Sequence, residues 1–218
     1  EKRWQFAPTA RIWDSLWVER QLGIASIEVI STGNSQSVII TSGRCVFSVD
    51  AKDGKEHWRF SASRAVKKMA TVADLNGDDT DEVFAGSDDG HFYLLNGKTG
   101  ETQWRMKLPE HEGTNYNDVR YLISDIRTFN AEAGKVIVTS TDGWAQMFDI
   151  EEKRLEWDIK LTESGSYEQN LPITVAPDVT DDGLPEVLIA KGSSGTSSSP
   201  SSIGVVMLSP DREVVWEK

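Results

Sequence analysis

The 218 residues carry 35 acidic and 23 basic side chains, a formal net charge of −12, and 38% of them are hydrophobic. Phosphate binding needs neutralisation by Lys and Arg, so this balance, with no basic run anywhere, excludes nucleic acid as the partner. No stretch of about 18 apolar residues occurs, so no membrane span is expected in this segment, and the single cysteine, Cys45, excludes an intrachain disulfide and any multi-cysteine metal site.

The chain opens at Glu1 without Met and without a basic region followed by an apolar one, as expected if a targeting segment was removed or the chain is a segment of something longer. Five tryptophans then set a clock. Trp4, Trp58, Trp104, Trp157 and Trp216 each close a short stretch, KRWQF, KEHWRF, ETQWRM, RLEWDI and EVVWEK, at spacings of 54, 46, 53 and 59. Asp50, Asn96 and Asp149 stand eight residues before their Trp, each after an alternating apolar run, and Ser209 stands seven before Trp216. Upstream lie four β-branched runs beginning at Val38, Val83, Val136 and Val187. The last is set further from its Trp by a Ser-rich insertion, Gly192 to Ser202.

In chain order this predicts a lone outer strand with a connector over 1–22, then four-stranded units over about 23–62, 68–109, 118–162 and 171–218. The first strands are expected near Ser26 to Ile30, Ala70 to Ala73, Leu122 to Ile126 and Ile173 to Ala176. Gly54 and Gly100 fall in the last turn of their units, where φ > 0 costs glycine nothing. Four-stranded units of ~40–50 residues with a regularly placed aromatic are the pattern of β-propeller blades. The fold class expected is therefore all-β, a β-propeller of about four blades, with the tryptophans packing blade on blade. Four whole blades and an extra outer strand do not close a ring, so the expectation is an arc of a larger propeller.

Two of the first turns are acidic nonapeptides: DLNGDDTDE, Asp74 to Glu82, and DVTDDGLPE, Asp178 to Glu186. Ca²⁺ takes six to eight oxygens at about 2.3–2.6 Å, and a tight loop with oxygen side chains at positions 1, 3, 5 and 9 and a carbonyl at 7 meets that demand. The candidate ligands are Asp74, Asn76, Asp78 and Glu82 with the carbonyl of Thr80, and Asp178, Thr180, Asp182 and Glu186 with the carbonyl of Leu184. Position 6 would favour glycine; it is Asp79 in the first loop. The corresponding turns of the other two units lack the acids. Five carboxylates in nine residues repel one another, which a bound cation would relieve.

The blocks DLNGDDTDEVFAGSDDGHFYLLNGKTGETQWRM and VFSVDAKDGKEHWRF resemble the repeats of PQQ-like β-propellers, combined with the aspartate-rich hairpin of FG-GAP and integrin-type repeats. The resemblance covers Gly23 to Lys218. It implies more blades, commonly seven or eight. It implies no single function, because such propellers include quinoprotein enzymes, an outer-membrane assembly lipoprotein, sensor ectodomains and adhesion receptors.

Quinoprotein dehydrogenases commonly use a vicinal Cys pair, whereas Cys45 is alone, so no PQQ is expected. No catalytic triad spacing or phosphate-cradling loop is present. The remaining candidate is a loop face carrying Arg64, Lys67, Lys68, His111, Asn115, Tyr116, Asn117, Arg120, Tyr167, Gln169 and Asn170, the residue types of a recognition surface. The expected function is a non-catalytic, extracellular, cell-surface or periplasmic propeller that binds a protein or glycan, with two structural Ca²⁺ ions. The alternative is part of a quinoprotein dehydrogenase or polysaccharide lyase whose active site lies in further blades.

Overall fold

The computed structural model describes residues 4–10, 20–21, 23–111, 122–129, 134–161, 171–193 and 202–218. The chain divides into two compact units, Glu1–Leu108 and Pro109–Lys218. Among the described residues every regular element is a strand. A two-residue pair, β1 (Thr9–Ala10) and β2 (Arg20–Gln21), precedes two four-stranded antiparallel sheets in the first unit. These are β3 (Ile24–Thr32), β4 (Ser35–Ser42), β5 (Cys45–Asp50) and β6 (Glu56–Ser61), then β7 (Val66–Val72), β8 (Glu82–Ser87), β9 (His91–Leu95) and β10 (Thr102–Lys107). The second unit holds β11 (Ile123–Thr128), β12 (Lys135–Ser140), β13 (Trp144–Asp149) and β14 (Arg154–Lys160), then β15 (Ile173–Val175), β16 (Val187–Ser193), β17 (Ser202–Leu208) and β18 (Val214–Glu217). Each sheet pairs its strands in sequence order, which is the plan of a propeller blade.

The middle strands are the near-continuous apolar runs, since a strand covered on both faces does not alternate. All of β8 is buried, as is β9 after His91. The outer strands do alternate, and their inward positions bury Trp58 and Trp104. Ile30, Ile39, Trp58, Val83 and Tyr93 belong to one core in the first unit, and Ile137, Met147, Leu171 and Ile189 to one in the second.

A shared device sets each outer Trp. The register slips by one residue just before it, at His57, Gln103, Glu156 and Val215, so that Trp58, Trp104, Trp157 and Trp216 face Ser48, Leu94, Met147 and Met207. Such a bulge turns the strand and re-aims its side chains. Trp58 Nε1 then donates to Gly97 O at 2.7 Å, Trp157 Nε1 to Pro210 O at 2.7 Å, and Trp4 Nε1 to Ala51 O at 3.1 Å. Each acceptor directly follows the Asp, Asn or Ser that the spacing singled out. Asp50 Oδ1 accepts the N–H groups of Lys52 and Asp53, and Asn96 Oδ1 those of Lys98 and Thr99, folding the turn on which the preceding tryptophan's indole sits. The closing turn residue is left-handed throughout: Gly54 (φ 74), Gly100 (φ 76), Lys153 (φ 54) and Arg212 (φ 74). Arg212 comes three residues after Ser209 rather than four, the shorter turn of the last unit.

Two expectations need adjustment. The first strand of the second sheet begins at Val66, not near Ala70, because a bulge between Val66 and Lys68 breaks the alternation while keeping Val66 and Met69 in the core. Residues 4–8, within the expected lone outer strand, carry no strand pairing, although Trp4 docks on the first sheet as Trp58 and Trp157 dock on the turns that follow them. Trp216 differs from the buried Trp58 and Trp104, being 38% exposed.

Candidate metal centres

The first acidic loop joins β7 to β8 and the second joins β15 to β16, and the two are folded alike. Positions 4 and 6 are left-handed in both. In the first loop these are Gly77 (φ 79) and Asp79 (φ 62), in the second Asp181 (φ 63) and Gly183 (φ 87). Glycine and aspartate have exchanged places, and Asp is among the few residues that tolerate this region. Asp79 thus adopts at position 6 the left-handed conformation that Gly183 adopts in the second loop.

The acid at position 9 is the pivot. Glu82 and Glu186 are both fully buried, at the first position of β8 and just before β16. Glu82 Oε2 accepts Leu75 N–H at 2.7 Å and Glu186 Oε2 accepts Val179 N–H at 2.8 Å. The position-3 side chain reaches the other oxygen: Asn76 Nδ2 donates to Glu82 Oε1, and Thr180 Oγ1 to Glu186 Oε1 at 2.7 Å. The position-1 acids gather the loop amides. Asp74 accepts from Asn76, Gly77, Asp78 and Asp79, and Asp178 from Asp181 and Gly183.

One carboxylate oxygen each from Asp74, Asp78 and Glu82 lie within 4.8 Å of one another, and the same holds for Asp178, Asp182 and Glu186. These clusters could hold metal ions. Burial pushes the Glu82 carboxyl up, and the like charges of Asp74 and Asp78 add to it against the opposing Leu75 N–H. Burial also works against Asp74, but its four backbone N–H donors outweigh it and hold that carboxyl below its ordinary range. The donor set fits a hard cation in a further respect: Asp78 Oδ1 is buried without a hydrogen-bond partner, while its Oδ2 accepts Asn96 Nδ2 at 2.9 Å. Asn76, turned to donate to Glu82, would have to rotate its amide to offer oxygen.

The loops differ in their surroundings. The first is stitched to the β3–β4 hairpin: Thr32 and Thr80 form an antiparallel bridge, Gly33 N–H donates to Asp79 O at 2.5 Å and Asp81 N–H to Ser31 O at 3.1 Å. Asp81 Oδ2 in turn accepts Ser31 N–H at 2.8 Å. The bridge bonds run through the neighbours of Thr80, so the Thr80 carbonyl itself is not spent on them. The second loop is exposed from Asp178 to Leu184, so the Leu184 carbonyl belongs to an open segment.

On the loop face expected to recognise a partner, Arg64 is exposed and Lys67 pairs with Asp88 at 2.6 Å, while Lys68 is half-buried. Asn115, Tyr116, Asn117, Arg120, Tyr167, Gln169 and Asn170 lie outside the described residues. Asp89 and Asp142, which the tryptophan spacing does not mark, occupy the same place in the turns after β8 and β12. Asp89 Oδ2 accepts Ser63 Oγ at 2.5 Å and the Tyr93 hydroxyl at 2.9 Å. Asp142 Oδ2 lies 3.5 Å from Nδ1 of His111, whose Nε2 is 3.0 Å from Asp158 Oδ2. The His111 ring stacks on Trp144 with centroids 3.6 Å apart. The signal was the repeated Ser-x-Asp-Gly of SDDG and STDG.

A family model described as outer membrane protein assembly factor BamB, of PQQ-like type, matches residues 6–201. The chain belongs to this family. It is accordingly a PQQ-like β-propeller repeat protein, in keeping with the four sheets. No curated protein matches it. Among solved structures, hydrazine synthase of Kuenenia stuttgartiensis is similar at TM-score 0.64 and 15% identity, over 95% of this chain and 52% of that one. BBS1N, in complex with ARL6DN, is similar at TM-score 0.62 and 10% identity, over 92% and 56%. U3-55K is similar at TM-score 0.59 and 12% identity, over 90% and 52%. At these identities the likeness is one of fold. The PQQ-like chain spans about half the length of each. Among the described residues no helix is long and apolar enough to cross a membrane.

Proposed function

We propose that the chain is a non-catalytic propeller module that binds a protein or a glycan outside the cytoplasm and carries structural Ca²⁺ in the loops Asp74 to Glu82 and Asp178 to Glu186. The observation that carries the metal reading is the recurrence, in two loops of different sequence, of one fold that brings a buried Glu together with two aspartates. An ion would be held by Asp74, Asp78 and Glu82, with Asn76 and the Thr80 carbonyl, and by Asp178, Asp182 and Glu186, with Thr180 and the Leu184 carbonyl. Its chemistry there is the neutralisation of crowded carboxylates, and ligands that assemble only in the folded loop make the ion stabilising by mass action.

The binding role draws support from the residue types of the expected loop face and from one relative in fold, BBS1N, which is found in complex with ARL6DN. Family membership with an outer membrane protein assembly factor favours the periplasm or cell surface. That setting suits weak calcium sites, which work at ~10⁻⁴–10⁻³ M in extracellular modules. Thermal denaturation in EDTA and then in millimolar Ca²⁺ tests the metal reading: the transition rises with Ca²⁺ and not with Mg²⁺, and an unchanged transition refutes it.

A further inference from the structure

Beside the first acidic loop, between the β3–β6 sheet and the β7–β10 sheet of the first unit, lies a cleft of about 390 Å³. Its walls are Thr32, Gly33, Ser35 and Ser37 of the β3–β4 hairpin, Ser48 and His57 of the same sheet, and Asp78, Asp79, Thr80, Gly97 and Lys98 of the next. Three wall residues are almost wholly buried, Ser37 (3% exposed), Ser48 (1%) and Thr80 (3%). All three carry a hydroxyl, a group that can both donate and accept a hydrogen bond.

The occupant's chemistry follows from the walls. None of the lining residues is aliphatic, and most carry a polar side chain. Charges of both signs stand around it: the carboxylates of Asp78 and Asp79, and Lys98, whose Nζ donates to Asp78 O at 3.3 Å. They select neither anion nor cation. Hydroxyls both donate and accept, and so match a ligand whose own groups do the same. The volume lies at the small end of the ~300–1,000 Å³ of ligand sites, far above one ion or one water.

We propose that this cleft binds a neutral saccharide unit, its hydroxyls exchanging hydrogen bonds with Ser37, Ser48 and Thr80 and one face of its ring set against the His57 imidazole. The inference rests on the binding role proposed above and names its ligand class and place, on loops opposite to the expected recognition face; Asp78 and Thr80 are shared with the first proposed ion site, so binding is measured with and without Ca²⁺.

Saturation-transfer NMR and calorimetry with glucose, galactose, mannose and N-acetylglucosamine, each in Ca²⁺ and in EDTA, test it on the whole chain. The expected result is binding of at least one sugar, weakened at least tenfold by Ser35→Tyr, which fills the exposed rim, and by Ser48→Val, which removes a wall hydroxyl. Ser35→Tyr sits on an exposed hairpin and keeps the test valid should Ser48→Val fail to fold. No binding of any of the four sugars overturns the proposal, as does binding that Ser35→Tyr leaves unchanged. The latter result would keep a glycan-binding role while removing it from this cleft, so the two failures are separable.

Discussion

Substitution of Gly100 by alanine bears on the step that organises the whole repeat, the seating of an outer tryptophan on the turn of the next sheet. Gly100 has φ 76, and a Cβ there would stand 2.6 Å from Trp58 Cε3 and 2.7 Å from Cδ2. Two costs add. A left-handed L-residue costs about 1–2 kcal/mol, and forcing an atom into a packed contact costs about 1–3 kcal/mol, so Gly100→Ala should lose about 2–5 kcal/mol. Gly33 separates the two, since it has φ 61 and nothing within 4 Å of its Cβ position. Gly33→Ala should therefore lose only the conformational cost, about 1–2 kcal/mol. Urea denaturation followed by tryptophan fluorescence measures both. Equal losses would show that Trp58 does not press on Gly100 and would refute the docking account.

The buried Asp125 carboxylate is a second target: its Oδ2 accepts Ile173 N–H at 2.9 Å and its Oδ1 accepts Ile126 N–H at 3.0 Å. Asp125→Ala strands both amides and should cost about 1–3 kcal/mol in urea denaturation. Tyr93 should titrate at about 12 in an ultraviolet pH titration, because burial and then the Asp89 carboxylate disfavour the phenolate. Its folded pKa is raised, so its contribution to stability is whole below pH 10, the unfolded value, and is lost as pH rises through about 12; Tyr93→Phe should abolish that loss. Asp89 shifts the other way: burial opposes its charge, but the hydroxyls of Ser63 and Tyr93 and the His91 N–H hold it below 3.8. Its contribution is present above that pH and lost as pH falls through the folded value, so Asp89→Asn should flatten the acid limb of the stability curve.

Much of this architecture was legible in the sequence because it is written in fixed spacings. The distance from Asp50 or Asn96 to the following Trp is the length of an Asx-closed turn plus one bulge, and any change in it would point the indole elsewhere. The same holds for the two acidic nonapeptides, whose oxygen-bearing residues alternate along a loop that must fold back on position 9. Contacts that join segments distant in sequence were not legible. The bridge from Thr80 to Thr32, the bond from Asn96 to Asp78 and the stacking of His111 on Trp144 depend on how sheets and loops meet, which no local pattern encodes. The early start of β7 was hidden for a different reason, since a bulge interrupts the alternation by which a half-buried strand is read.

Native mass spectrometry of the chain in millimolar Ca²⁺ tests the metal account most directly. Two bound ions are expected in the unaltered protein, one in Glu82→Ala, one in Glu186→Ala and none in the double variant. A protein that retains no specifically bound ion, or whose ions survive both substitutions, would contradict the account.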